Sequence, residues 1–409
     1  MPREKLGIVA WCLYDWANSA FTTIIITFVF ATYYVSAVVE NATIGAAQWG
    51  FAISASALAV AVLAPILGAI ADNGGRRKPW IVLFTLLSVL MTGALWFTSP
   101  DPSFALTVLV LVALANVGFE LGIVFYNSML PDIAPAKMLG RVSGWAWGLG
   151  YGGGLSCLVL VLVAVDTSDL DQVRLTSVLV AVWFALFSLP LLLWTPDTPA
   201  PGENWRVAVA NGFRQLAATL RQVHRHGDIA RFLLARLIYN DGLITLFAVG
   251  GIYAKASFGM TTTEVLQFGV AINVAAGLGA AGFAWVDDWI GSKRTILISL
   301  VGLVVFSAAV LTAEGSTMFL ICGSVLGIFV GPVQAASRTM MARLAPDGME
   351  TEMFGLFAFS GKATAFIGPF VFGVVTAVTA SQRWGMATIL VFFSIGGALL
   401  FTVADRRRI

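Results

Sequence analysis

Charge is scarce in this chain. Asp, Glu, Lys and Arg supply 11 % of its 409 residues, where a soluble domain carries about a quarter. Histidine occurs twice and cysteine three times. So little histidine speaks against a transition-metal cargo. Cys12, Cys157 and Cys322 all lie inside apolar runs, which suits small core residues rather than a disulfide or a metal site. No Gly-rich loop ending in Lys-Ser/Thr is present, so ATP is not the energy source. No cofactor, metal centre or enzyme activity is expected. A net charge of +2 gives no basis for a nucleic-acid partner.

What the chain does have is oil. Hydrophobic residues make up 58 % of it, and the mean hydropathy is +0.88. A helix that spans a membrane needs about 20 mostly apolar residues. Runs of that kind cover 8–38, 46–71, 79–98, 104–130, 141–165, 174–195, 229–256, 264–287, 295–313, 317–343, 353–379 and 384–404. A membrane β-barrel would show alternating strands of about 10 residues instead, so the expected fold class is an all-α membrane protein with twelve transmembrane helices. Basic residues collect at the N-terminus, in the loops after even-numbered spans, in the central linker and at Arg406, Arg407 and Arg408. The opposite loops carry Glu40, Asp101, Asp166, Asp169, Asp171 and Glu314. Positive residues stay inside, which predicts cytoplasmic termini and linker. The first apolar run continues as a full span without a small-residue cleavage site, so no cleavable signal peptide is expected.

The chain also repeats itself. Asp72-Asn73-Gly74-Gly75-Arg76-Arg77-Lys78 and Asp288-Trp289-Ile290-Gly291-Ser292-Lys293-Arg294 share an acid, a glycine three later and a basic cluster. Tyr14-Asp15-Trp16-Ala17-Asn18 in the first span has a counterpart in Tyr239-Asn240-Asp241-Gly242 in the seventh, and Pro131-Asp132 in Pro346-Asp347. Two pseudo-symmetric six-helix bundles follow, 1–195 and 229–409, joined by a linker at 196–228. Substrate in such a plan sits near the midplane, between the halves. The linker starts with Pro196, Pro199 and Pro201, which stop the sixth span. Trp205, Val209, Phe213, Leu216, Leu220 and Val223 then recur at helical spacing, with Arg206, Arg214, Arg221 and Arg225 on other faces. That pattern suits an amphipathic helix in the membrane interface. His224 and His226 stand two apart, so they share no helix face and make a poor metal site.

These segments carry a resemblance. Gly68-x-x-Ala71-Asp72-x-x-Gly75-Arg76-Arg77-Lys78 resembles the loop motif between helices 2 and 3 of the major facilitator superfamily, with a degenerate second copy at Asp288. Tyr14-Asp15-Trp16-Ala17-Asn18-Ser19-Ala20-Phe21 is similar to the opening of the autophagy-related vacuolar effluxer family. Leu130-Pro131-Asp132-Ile133 with Gly140-Arg141-Val142-Ser143-Gly144, and Phe354-Gly355 with Ser360-Gly361-Lys362, resemble the same family. The resemblance implies the major facilitator fold and efflux of small metabolites, with amino acids exported from the vacuole by fungal members. It implies no substrate for bacterial members.

Two groups of residues are candidates for function. The loop residues Asp72, Gly75, Arg76, Arg77, Lys78, Asp288, Lys293 and Arg294 are the expected gates. Basic residues here also fix topology, but the resemblance implies a latch in which Asp72 pairs with a basic residue or a helix N-terminus. Polar groups within spans are the expected substrate or proton-coupling groups: Asp15 and Asn18 on helix 1, Asn116, Glu120 and Asn127 on helix 4, Asn240 and Asp241 on helix 7, Gln334 and Arg338 on helix 10, Lys362 on helix 11. Each charge within a span costs on the order of 3 kcal/mol, so each needs a wet cavity or a partner. Plain helix–helix hydrogen bonding is the alternative. Gly144, Gly148 and Gly152 suit close helix packing, and Gly368-Pro369 is the expected bend in helix 11. The leading expectation is a monomeric secondary transporter of a small organic solute in a bacterial cytoplasmic membrane. Proton coupling stays open. A lipid or amphiphile cargo, and a sensor or assembly partner that does not transport, are the alternatives.

Overall fold

The computed structural model of the chain describes residues 3–166, 169–199, 205–221 and 227–404. Among these residues twelve helical stretches are long and apolar enough to cross a membrane. Spans 1 to 6 are Glu4–Val38, Ala42–Gly74, Lys78–Phe97, Pro102–Ser128, Ala136–Ala164 and Leu170–Trp194. Spans 7 to 12 are Gly227–Phe258, Thr263–Ile290, Ser292–Leu311, Ser316–Leu344, Glu350–Thr379 and Gln382–Phe401. No strand occurs among the described residues. Helices are what lipid permits, because each backbone N–H and C=O finds its partner inside the segment. The amphipathic linker forms a further helix, Trp205–Arg221. Val223, His224, Arg225, His226, Arg406, Arg407 and Arg408 lie outside the described residues.

Spans 3, 4 and 5 carry a 3-10 turn at one end, and two spans depart from regular α-helix in their interior. Span 1 widens into π-helical turns at Phe21–Phe28 and Tyr34–Val38. The first of these holds Thr22, Thr23, Ile24, Ile25, Ile26 and Thr27, whose branched side chains crowd an α-helical turn. Span 11 is two helices, Glu350–Lys362 and Ile367–Thr379. The interruption lies at 363–366, one turn before the bend expected at Gly368-Pro369. A proline disturbs the turn ahead of it, since it has no N–H for the carbonyl four residues back. Tighter bonds fill the gap, from Ala365 N to Lys362 O at 3.3 Å and from Ile367 N to Thr364 O at 2.7 Å.

The contacts divide the chain into two units. Unit 1 is Met1–Ile133, Leu149–Leu216 and Gly348–Gly355, and unit 2 is Ala134–Gly148, Ala217–Asp347 and Leu356–Ile409. Each unit therefore takes in one short segment from the other half of the sequence, which a cut between 195 and 229 would not assign to it. In unit 1, Phe21, Ile24, Phe30, Tyr33 and Tyr34 from span 1 pack against Val112, Val161 and Val180 from spans 4, 5 and 6. In unit 2, spans 8 and 10 meet at their backbones. A Cβ on Gly279 would lie 1.9 Å from Ile328 O, and one on Gly331 would lie 2.0 Å from Ala276 O. Small residues are what allow such an approach in a membrane.

That contact is testable. Gly331→Leu must force spans 8 and 10 apart and is expected to cost at least about 2 kcal/mol by overpacking. Gly282, with open space around it, should accept alanine. Detergent-extracted protein followed by size-exclusion chromatography should show a monodisperse peak for Gly282→Ala and a lost or aggregated one for Gly331→Leu.

Candidate functional site

Span 2 ends where Gly75 turns into positive φ, at 78°, a conformation that suits glycine. Just before it, both oxygens of Asp72 accept from backbone amides in the first turn of span 11. Thr351 N lies 3.0 Å from Oδ1 and Glu352 N lies 2.7 Å from Oδ2. First-turn amides have no partner within their own helix, and the helix dipole favours an anion there. The approach is close: a Cβ on Gly68 would lie 2.4 Å from Thr351 O, and one on Gly355 would lie 2.4 Å from Ala64 O.

Arg77 is the hub of this arrangement. It is 5 % exposed. Its guanidinium donates to Ser128 O at 2.9 Å, to Glu350 Oε2 at 3.0 Å and to Thr351 Oγ1 at 3.1 Å, and it pairs with Asp132. The neighbouring Arg76 is exposed. Lys78 points elsewhere: its Nζ donates to Leu192 O at 2.9 Å and to Thr195 O, capping the end of span 6.

Unit 2 builds the same device from the second copy of the motif. Asp288 accepts from Gly140 N at 2.8 Å and from Arg141 N at 3.2 Å, in the first turns of span 5. It also pairs with Arg141 Nε at 2.7 Å. Gly291, φ 94°, ends span 8 as Gly75 ends span 2. A second cation, Arg343, donates to the neighbouring Asp287 Oδ1 at 2.7 Å and to Ser292 Oγ at 2.6 Å and lies 3.5 Å from Asp288 Oδ1. Lys293 caps the end of span 12 through Phe401 O at 2.8 Å and Val403 O at 2.6 Å, and Arg294 is exposed. Both motif lysines are thus placed at helix C-termini, where a cation is favoured.

The polar groups within spans separate into distinct places. Asp15 is 8 % exposed and receives Asn18 Nδ2 at 3.5 Å. It lies beside Gly150 of span 5, where an added Cβ would sit 3.4 Å from Asp15 Cβ. Asn116 Nδ2 donates to Ser56 Oγ of span 2 at 2.8 Å. Asn127 is buried and Glu120 and Gln334 are half-buried. Asn240 and Asp241 both meet span 11: Asn240 Nδ2 donates to Gly361 O at 3.1 Å, and Asp241 Oδ1 accepts from Thr364 Oγ1 at 3.2 Å, within the interruption. Asp241 is 2 % exposed. Lys362 is the last residue of the first half-helix. Arg338 reaches another place, donating to Ser143 Oγ at 2.9 Å and Ser143 O at 2.7 Å. It ties span 10 to the start of span 5, while the adjacent Ser337 shares a hydrogen bond with Tyr239 of span 7 at 2.7 Å.

Sequence reasoning passed over several residues of the site. Arg236, one turn before Asn240, donates to Phe357 O at 2.6 Å and Ser360 Oγ at 2.8 Å and lies 3.5 Å over the Phe357 ring. The rule that singled out Asp241, an ionisable group inside an apolar span, applies to it equally. Glu350, Asp287 and Arg343 sit at span ends, where a charge is ordinary, and nothing in the sequence marks them. Among the described residues no three His, Cys, Asp or Glu side chains gather as metal ligands.

This arrangement has relatives. The family described as "Vacuole effluxer Atg22 like" matches residues 46–409. An uncharacterized MFS-type transporter of Bacillus subtilis, YxiO, is 27 % identical, over 97 % of this chain and 94 % of its own length. Autophagy-related protein 22 of Coccidioides immitis is 22 % identical, over 90 % of this chain and 74 % of its own. Among solved structures, the major facilitator transporter FucP in its outward conformation matches with a TM-score of 0.77 at 14 % identity, covering 99 % of both chains. The human organic anion transporter MFSD10 matches at 0.76 and 15 % identity, over 98 % of this chain and all of that one. Those two likenesses establish the twelve-span major facilitator fold. The family match spans most of the chain, and this membrane protein is accordingly a transporter that belongs to the vacuole effluxer Atg22-like family.

Proposed function

We propose that the protein is a secondary active transporter that exports a small organic solute, an amino acid or related metabolite, by alternating access. The bacterial cytoplasmic membrane is its proposed place, with both termini and the linker on the cytoplasmic side. One observation carries the reading: in each unit a carboxylate at the end of an even-numbered span holds the first-turn amides of a span from the other half of the sequence. Water can take the place of the carboxylate at these amides, so such a contact can open without leaving them unpaired. Two such contacts, each released when its amides turn to water, suit a gate that alternates. Efflux rests on the family's description as effluxers, and a metabolite cargo on the motif resemblance of the sequence.

In this reading Asp72 and Asp288 are the gate carboxylates, Gly75 provides the turn, and Arg77 with Arg343 balances the charge. Arg76 and Arg294 hold the orientation of their loops. Asp15, Asn18 and Glu120 in unit 1, with Asn240, Asp241 and Lys362 in unit 2, are the groups that meet solute or protons. The pairing of Asp241 with a broken helix favours this assignment, because interrupted helices offer free backbone ends to charged cargo. Asn116, Asn127, Gln334 and Arg338 serve helix packing and the gate.

Asp72→Asn keeps an acceptor for one amide but removes the charge. A hydrogen bond to a charged group contributes about 1.5–3 kcal/mol, so the latched population should change roughly tenfold or more. Counterflow in proteoliposomes should fall correspondingly in Asp72→Asn and in Asp288→Asn. Wild-type rates in both variants would remove the gate assignment.

Arg77→Gln leaves the half-exposed Asp132 and the buried Glu350 without their cation, and breaking the buried Glu350 pair costs about 3–5 kcal/mol. It should therefore lower folded yield as well as transport, where Arg76→Gln should do neither. The proton question has its own measurement. Once a thermal-shift screen of amino acids, peptides, nucleosides and lysolipids has identified a solute, its transport is compared across pH in wild type, Asp15→Asn, Glu120→Gln and Asp241→Asn. Proton coupling predicts that at least one variant loses the pH dependence. Unchanged profiles in all three would exclude these acids, and stabilisation by lysolipids alone would favour an amphiphile cargo.

A further inference from the structure

The linker helix Trp205–Arg221 has two unlike faces. On one, Ala208 is buried at 5 % exposure and Gly212 rests on span 2. A Cβ on Gly212 would lie 2.8 Å from Ile70 Cα, so a larger residue would lift the helix. On the same face, Gln215 accepts from Asn73 Nδ2 at 2.9 Å and donates to Glu352 Oε2 at 2.6 Å. Asn73 is the neighbour of Asp72, and the Glu352 amide is one of the two that Asp72 holds. A single glutamine thus joins the linker helix to both sides of the first gate contact. The sequence pattern pointed to an amphipathic helix in the membrane interface, with an apolar stripe through Phe213. Phe213 of that stripe is exposed, and small residues with Gln215 make the protein contact. Glycine at 212 decides this, because it lets the backbone itself come closest.

The opposite face is basic and apolar together. Arg206, Arg214 and Arg221 are exposed, with Val207 and Phe213 46 % and 52 % exposed among them. At 100° per residue these positions fall in one arc of the helix. Residues 205–221 contain no Asp or Glu. Arginines around an aromatic side chain suit a leaflet of anionic lipid, which takes the ring at its boundary and the guanidinium groups at its phosphates. The helix lies against Ile70 and Asn73, at the end of span 2, where headgroups begin.

We propose that this face binds anionic phospholipid headgroups, and that lipid bound there holds the linker helix onto the Asp72 contact through Gln215. Lipid charge then biases the gate. The effect falls with added salt, because interactions at an exposed surface are screened. It is independent of the solute carried.

Hydrogen exchange of the full-length protein in nanodiscs tests both halves of this inference. The discs are phosphatidylcholine with or without phosphatidylglycerol, and the amides followed are those of 205–221 and of Thr351 and Glu352. Phosphatidylglycerol should slow both regions at least about fivefold, the scale of one arginine near an anionic leaflet. Arg206→Gln, Arg214→Gln and Arg221→Gln combined should abolish the slowing in both. Lysine at the same three positions should restore it, which separates charge from folding. Gln215→Leu should keep the slowing in 205–221 and lose it at Thr351 and Glu352. Equal exchange in the two lipids, or slowing that survives the triple glutamine variant, overturns the lipid site. Slowing of 205–221 without any at Thr351 and Glu352 in the wild type overturns the link to the gate. Neither readout uses transport, so an error in the proposed cargo or direction leaves this test unaffected.

Discussion

A helix that begins at a membrane surface has backbone amides with no partner of its own, and much of this structure follows from where two such helices find theirs. Spans 5 and 11 take carboxylate oxygens from the ends of spans 8 and 2. The carboxylate must reach past the end of its own helix, so a glycine with positive φ follows three residues later. The two backbones must come close, so Gly68 and Gly355 face carbonyls in unit 1 and Gly144 faces Ala280 O in unit 2. An anion beside other acids needs a cation, and Arg77 and Arg343 supply it. One unsatisfied group thus dictates a turn, a packing contact and an ion pair.

The two copies solve the problem with different residues. In unit 1 the cation comes from the motif itself, as Arg77, and gathers Asp132, Glu350 and a carbonyl of span 4. In unit 2 the position 216 residues on is Lys293, which caps span 12, and the cations come from spans 5 and 10 as Arg141 and Arg343. Lys78 and Lys293 do the same work in both copies, and that shared work lies in closing helix ends. The unequal sequences of the two loops correspond to unequal ion pairs around an equal carboxylate–amide contact. The linker helix joins the first contact through Gln215.

Within the membrane, the acids of spans 1 and 7 lie where partner spans are smallest. Asp15 adjoins Gly150 of span 5. Asp241 adjoins Gly368, where a Cβ would fall 2.6 Å from Asp241 O. Span 11 gives up its regular helix in front of Pro369 and turns Thr364 towards Asp241. Arg236, Asn240 and Asp241 follow span 11 upward, contacting residues 357, 360, 361 and 364 in turn. A polar seam of this kind keeps an interrupted helix in place without closing the interruption.

The sequence by itself determined the solvent, the number of spans, the repeat and the fold, because those rest on long apolar runs and on the period between two polar motifs. It also marked Asp72 and Asp288, since an acid, glycine and basic cluster between two spans is a local pattern. Which arginine is buried and which is exposed could not be read there: Arg76 and Arg77 are adjacent and chemically identical, and only the approach of span 11 distinguishes them. The same holds for Arg338, polar within a span by sequence but bound to Ser143 in space. In the linker helix, Gly212 and Gln215 meet the protein while Phe213 is exposed. Tertiary structure decided these points because a charge takes its role from the partner that desolvates it, and that partner lies tens to hundreds of residues away along the chain.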